Sequence, residues 1–148
     1  METLKPRFQE RDGWCGPACL QFIAREHGIP TTQSELARIM HTSHEGGTGH
    51  YEMFCGAMEI GLQPTQTLGM MVETLAELLP NYYVVVDWMT GTNESDDGHY
   101  DLLHKVENEK VYLNDATMTI EEFNSKWYDI ESDGKRVDKW AMIVGKRK

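Results

Sequence analysis

The order of periodicities along the chain predicts an α+β domain, with N-terminal helices packed on a C-terminal antiparallel β-sheet. Apolar residues in the first half recur at three- and four-residue intervals, the helical spacing. From Tyr82 onward the apolar segments become β-branched, aromatic and alternating, the strand pattern. No repeat, low-complexity linker or shift in composition divides the 148 residues, so a single domain is expected over 1–148.

The elements follow in order. Between Cys15 and His27, the residues Ala18, Cys19, Phe22 and Ile23 share one helical face. Pro17 suits the first turn of that helix, and Gly28 and Pro30 end it. Thr32 and Glu35 form a capping-box pattern ahead of Leu36, Ile39 and Met40. Tyr51, Phe54, Cys55 and Met58 predict the apolar face of a third helix, stopped by Gly61. A fourth runs from Val72 to Leu79 and ends at Pro80. Tyr82 to Trp88 reads as a buried strand. After the polar loop MTGTNESDDG, Tyr100, Leu102, His104 and Val106 alternate with Asp101, Leu103 and Lys105, and a tight turn at Asn108 leads into Lys110–Asn114. Thr119 with Glu122 caps a short helix reaching Trp127, and Trp140–Val144 is a last strand.

Composition narrows the function classes. Hydrophobic residues are 40% and charged ones 26%, an ordinary soluble balance. No apolar run approaches the roughly 18 residues of a membrane span. The opening METLKPRFQERDG has no apolar core, so it is not read as a secretory signal, and the chain reads as cytosolic. Three cysteines, an odd number, argue against a disulfide framework, and a reducing compartment keeps a thiol available for chemistry. A net charge of −10 disfavours binding to a nucleic-acid backbone. The basic end GKRK reads as a solvated tail.

Four residue types needed for acyl transfer by a cysteine are present. Cys15 opens the first helix, where unpaired N–H groups and the helix dipole favour an anion such as a thiolate. Gly16 leaves room for a substrate carbonyl. Gln9, six residues upstream, offers a side-chain amide that can join the Cys15 N–H as an oxyanion donor. His99 and Asp115 are connected by the turn at Asn108. Pairing outward from it sets His99 opposite residues 116–118, so Asp115 falls within a residue or two of it. Opposed side chains of a ladder are about 4.5–5.5 Å apart at Cβ, close enough for a carboxylate to receive the imidazole N–H. The approach of Cys15 to this hairpin is a purely tertiary expectation.

The remaining candidates carry weaker patterns. His104 reads as a sheet residue and His27 as a helix C-terminal residue. His41, His44 and His50 cluster in HTSHEGGTGH, but paired Cys–x–x–Cys knuckles are missing, so no metal or other cofactor is expected. Cys19 and Cys55 read as core. Trp88, Trp127 and Trp140 follow apolar patterns, whereas Trp14, just before Cys15, is placed to line a substrate groove. Glu94, Asp96 and Asp97 form either an acidic rim that selects substrates or a solvated loop.

Gln9-x5-Cys15-Gly16-Pro17-Ala18-Cys19-Leu20, followed by Gly98-His99-Tyr100 and Tyr112-Leu113-Asn114-Asp115, resembles the bacteriocin-processing (double-glycine leader) peptidase family of papain-like cysteine peptidases. Gly47-Thr48, the segment Glu59-Ile60-Gly61-Leu62 and Thr119–Trp127 extend the resemblance over nearly the whole chain. It implies a papain-like cysteine peptidase fold. It implies that Cys15 attacks, His99 serves as base and then acid, Asp115 orients His99, and Gln9 completes the oxyanion hole. Trp14, Gly16 and Gly98 would contact substrate. Family members often form the N-terminal domain of peptide exporters and cut leader peptides after Gly-Gly; no membrane region or ATP-binding motif stands here, and any exporter partner is unspecified. Asp101 occupies a position usually apolar in the family, where a carboxylate either repels Asp115 or faces solvent. The expected function is thus hydrolysis of a peptide bond in a peptide or protein substrate through an acyl-thioester. A transglutaminase- or amidase-like acyl transfer, or a noncatalytic peptide-binding module of the same fold, uses the same groove.

Overall fold

The computed structural model of the chain describes residues 10, 13–43, 47–90, 98–131 and 133–147. Gln9, His44, Glu94, Asp96 and Asp97 lie outside them. Three helices come first: α1 (Cys15–Glu26), α2 (Gln33–Ile39) and α3 (His50–Glu59). Then follow β1 (Pro64–Leu68), α4 (Val72–Leu78), β2 (Tyr82–Met89), β3 (Gly98–Glu107), β4 (Lys110–Leu113) and β5 (Thr117–Thr119). The chain closes with α5 (Ile120–Lys126), β6 (Tyr128–Ile130), β7 (Arg136–Asp138) and β8 (Trp140–Gly145). Six strands pair antiparallel in the order β1-β8-β2-β3-β4-β5, and β6 pairs with β7 separately.

The expected α+β arrangement is present, with one extension: helices cover both faces of the sheet. On one face Leu20 and Ile23 of α1, Leu36 of α2 and Met53 and Ala57 of α3 pack on Tyr83, Val85, Leu102, Trp140 and Met142. On the other, Val72 and Leu75 of α4 and Phe123 of α5 pack on Val84, Val86, Leu103, Val111 and Ile143. Alternate residues of β2 and β8 enter opposite cores, which is why YYVVVDWM and WAMIV are nearly continuous apolar runs.

Local signals act where the sequence puts them. Thr32 caps α2 by accepting the Glu35 N–H, and Thr119 and Glu122 form a reciprocal capping box on α5. Gly28 follows α1 at φ +74, the left-handed conformation that favours glycine beyond a helix end. Asn108 and Glu109 both have positive φ, so a two-residue turn joins β3 to β4.

Two expectations need correction, and four short strands carry no sequence signal. α3 has the predicted span, but Tyr51 is 70% and Met58 53% exposed, while His50, Met53, Gly56 and Ala57 face inward. The reason is close packing: the missing side chain of Gly56 admits Met40 from α2, and that contact sets the rotation of the helix. Cys55 is accordingly half-buried rather than core. β1, with the polar sequence PTQTL, gives no apolar alternation, because it is an edge strand held by β8. β5, β6 and β7 are only three residues each and carry equally little pattern.

Candidate active site

Cys15 is the first residue of α1. Trp14 provides no side-chain cap and Pro17 has no N–H, so no capping side chain from Trp14 offsets the positive end of the helix at Cys15. Packing of α1 against β3 brings the half-exposed thiol to the sheet, where the Tyr100 N–H donates to Cys15 Sγ at 3.3 Å. Tyr100 is itself fixed, since its hydroxyl donates to the Thr48 carbonyl at 2.8 Å.

His99 precedes Tyr100 on β3 and carries the expected partner. Its Nε2–H donates to Asp115 Oδ2 at 2.8 Å, and its ring lies near enough to Cys15 for the sulfur to help raise the histidine's pKa. With Nε2 committed to the carboxylate, Nδ1 is the nitrogen left for the sulfur. Burial alone would lower the His99 pKa, but the hydrogen bond to Asp115, the Cys15 sulfur and the charge of Asp101 outweigh it and push it to about 10. At neutral pH the ring is an imidazolium facing sulfur. The hydrogen bond from His99 holds the Asp115 carboxyl below its ordinary range, against the smaller effect of burial. Asn114 Nδ2 donates to the other Asp115 oxygen at 2.9 Å.

Cys15, His99 and Asp115 therefore meet in one place. Gln9 lies outside the described residues. Just beyond it, the Glu10 N–H donates to Gln33 Oε1 at 2.8 Å, and Gln33 is tied to Gln21 at 3.1 Å inside the helical layer. The three substrate-contact candidates are placed differently. Trp14 is half-exposed beside the thiol. Gly16 is buried, and a Cβ there would meet Thr48 Oγ1 at 3.0 Å and Tyr100 Cδ2 at 3.3 Å. Its smallness thus serves the packing of α1 on β3 rather than open access for a carbonyl. Gly98 is exposed at the start of β3, and the Asp129 carboxylate fills the space beside its Cα.

Two features escaped the sequence. Asp101 neither faces solvent nor is left in bare repulsion: it is 1% exposed beneath the His99 ring, bonded to Trp88 and to the Asp115 backbone. His50 is a buried residue, stacked on Trp140 at 4.6 Å, with Nε2 2.6 Å from Asp87 and Nδ1 3.2 Å from Glu131. Burial lowers the His50 pKa against the pull of Asp129 and Glu131. Asp129 is pushed up to about 8, by burial first and then by its hydrogen bond to Asp87 and the charge of Asp87. This cluster borders a cleft of about 360 Å³ lined by Thr48, His50 and Glu52 on one side and Asp129, Glu131 and Asp133 on the other. The Gly-rich HTSHEGGTGH segment reads as a loop, and only contact with β2 and β6 reveals His50 as part of a polar network.

Comparison with known proteins gives the site a context. The model of the peptidase C39 family matches residues 3–131. An uncharacterized protein of Methanothermobacter thermautotrophicus is 31% identical over 111 residues, covering 75% of this chain and 70% of the relative. The peptidase domain of Streptococcus ComA, a bi-functional ABC transporter involved in a quorum-sensing pathway, aligns with a TM-score of 0.70 at 20% identity, over 99% of this chain and 100% of that one. A double glycine motif protease from an AMS/PCAT transporter, solved in complex with the leader peptide, aligns with a TM-score of 0.71 at 14% identity, over 97% and 91% of the two chains. These two likenesses are of fold, the papain-like α+β arrangement. Among the described residues no helix is long and apolar enough to cross a membrane. Because the family model spans residues 3–131 of 148, the chain belongs to the peptidase C39 family.

Proposed function

We propose that this chain is a cysteine peptidase that hydrolyses a peptide bond through an acyl-thioester on Cys15, and that its substrate is a peptide cut after Gly-Gly in a leader segment. The observation that carries the reading is the approach of a half-exposed helix-start cysteine to a histidine held by Asp115 at 2.8 Å, in a member of a peptidase family. The leader-peptide substrate is supported by the fold shared with a double glycine motif protease bound to its leader peptide.

Cys15 Sγ attacks the scissile carbonyl carbon while its former proton resides on His99. The carbonyl π electrons move to oxygen, and the Cys15 N–H and the Gln9 side-chain amide take up that charge. As the oxyanion collapses, the C–N bond breaks and His99 delivers its proton to the departing amine. Water then attacks the thioester with His99 as base, the C–S bond breaks, and acid product and Cys15 are released. Asp115 keeps Nδ1 of His99 pointed at sulfur throughout both halves.

Incubating the protein with a library of peptides carrying an internal Gly-Gly, and reading the products by mass spectrometry, tests this. Cleavage carboxyl-terminal to Gly-Gly, absent in Cys15→Ala, is the expected result. Binding without turnover in the parent chain would turn the reading to a peptide-binding module, and products joined to an added amine would turn it to acyl transfer.

A further inference from the structure

We infer that Asp101 is a positioning residue for His99: its buried carboxylate fixes the backbone of Asp115 and places a second negative charge beside the imidazole. The inference deepens the peptidase reading and rests on it for its catalytic consequence.

The geometry is a closed ring of contacts. Asp101 Oδ2 accepts the Trp88 indole N–H at 3.3 Å, and both its oxygens accept the Asp115 backbone N–H at 3.3 Å. Oδ1 also accepts the Leu102 N–H at 2.9 Å. Oδ2 stands 4.0 Å from His99 Nε2, the same nitrogen that donates to Asp115. The Trp88 ring closes the ring edge-on to His99, with centroids 6.0 Å apart at 89°. One polar side-chain atom from each of His99, Asp101 and Asp115 falls within 4.8 Å of the other two.

Each contact has a consequence for the imidazole. Asp115 lies between the end of β4 and the start of β5, outside either strand, and its side chain is 44% exposed. A half-exposed side chain on unsupported backbone would hold His99 loosely. The bond from its N–H to Asp101 anchors that backbone to β3, the strand that carries His99. An asparagine would keep one acceptor oxygen without a charge in the interior, but would turn its NH2 toward either the Trp88 or the Leu102 N–H. A buried carboxylate is costly: burial first, then Asp115, drive Asp101 to about 6, and the His99 charge opposes them. A charge kept here acts on His99. The titratable groups facing that ring among the described residues are Cys15 from α1, Asp101 from β3 and Asp115 from the β4–β5 turn.

The experiment compares the parent with Asp101→Asn, which keeps an acceptor and removes the charge, and Asp101→Ala, which removes both. His99 is titrated by NMR of its ring, exchange of the Asp115 amide is followed, and kcat and KM are measured against pH. In Asp101→Asn we expect the His99 pKa and the alkaline limb of kcat to fall by about one unit, a tenfold change in the protonation constant, with KM unchanged. In Asp101→Ala the Asp115 amide exchanges faster and kcat falls further, so that asparagine partly rescues alanine. A His99 titration in Asp101→Asn identical to the parent's would overturn the inference, even if Asp101→Ala fails to fold. So would a loss of kcat with the pH limb unmoved. A parent that cleaves no peptide, yet whose His99 pKa drops on Asp101→Asn, would remove the peptidase reading and leave the positioning role standing.

Discussion

His99 on β3 and Asp115 beyond β4 meet at 2.8 Å because the ladder between them is irregular. Val106 pairs with Val111 and Lys105 with Tyr112, but Leu103 pairs with Leu113, so His104 bulges out and the far strand advances by one residue toward His99. The Asn114 N–H then donates to the Leu102 carbonyl at 3.0 Å, and the chain turns with the Asp115 side chain under the imidazole.

Replacing Asp115 by Asn removes the negative charge from the group that fixes the His99 tautomer and lets an NH2 turn toward the ring in place of an acceptor oxygen. Turnover should fall by about 10²-fold or more. The alkaline limb should move to lower pH, because the His99 pKa of about 10 rests chiefly on that hydrogen bond among the groups that raise it. A raised histidine pKa contributes stability that is complete below its ordinary value of 6.5 and lost as pH rises through 10. The Asp115→Asn protein should therefore lose less stability than the parent between pH 7 and about 10, as read by urea denaturation across that range.

Alkylation separates the thiols. Iodoacetamide at mildly acidic pH should label Cys15, half-exposed and facing the imidazolium, well before Cys19. Cys19 is 5% exposed, and burial followed by the Asp101 and Cys15 charges pushes its thiol well up. Peptide mapping of the labelled sites after short exposure measures the order. His99→Ala should erase the advantage of Cys15.

The Asp129 carboxyl makes the fold sensitive to base. Its folded value of about 8 lies above the ordinary 3.8, so the folded chain holds an extra proton between them. That contribution is complete at low pH and disappears as pH rises through 8. Asp101, at about 6, adds the same trend over a lower range. Thermal unfolding should occur at progressively lower temperature from pH 6 to 8, and Asp129→Asn should flatten that slope.

Gly16→Ala tests the packing of α1 on the sheet. The new methyl would press on Thr48 and Tyr100, the residue whose N–H holds the Cys15 sulfur. Overpacking of this kind costs about 1–3 kcal/mol, measurable by urea denaturation. The displaced Tyr100 should also slow alkylation of Cys15.

Legibility followed the kind of force at work. Helices with caps and periodic faces were readable at Cys15–Glu26 and at Thr119, because those signals act within a turn or two. The His99–Asp115 pairing was readable from the Asn108 turn, since a hairpin register propagates from its loop. The face of α3 is not legible from periodicity, because Tyr51 and Met58 are apolar yet outward, and Gly56 packs against Met40. The role of Asp101 has no local signal, as its Trp88 partner comes from β2, whose adjacency to β3 no local pattern encodes. His50 carries only a loop pattern in the sequence, because its partners Asp87 and Glu131 are distant along the chain.

Trapping the covalent intermediate tests the central claim most directly. The protein is mixed with a peptide it cleaves, quenched in acid within the first turnover, and its intact mass and peptide map are read. The account predicts a mass increase equal to the acyl fragment, confined to Cys15 and absent from Cys15→Ala. Cleavage that persists in Cys15→Ala, or an adduct carried on any other residue, would contradict it.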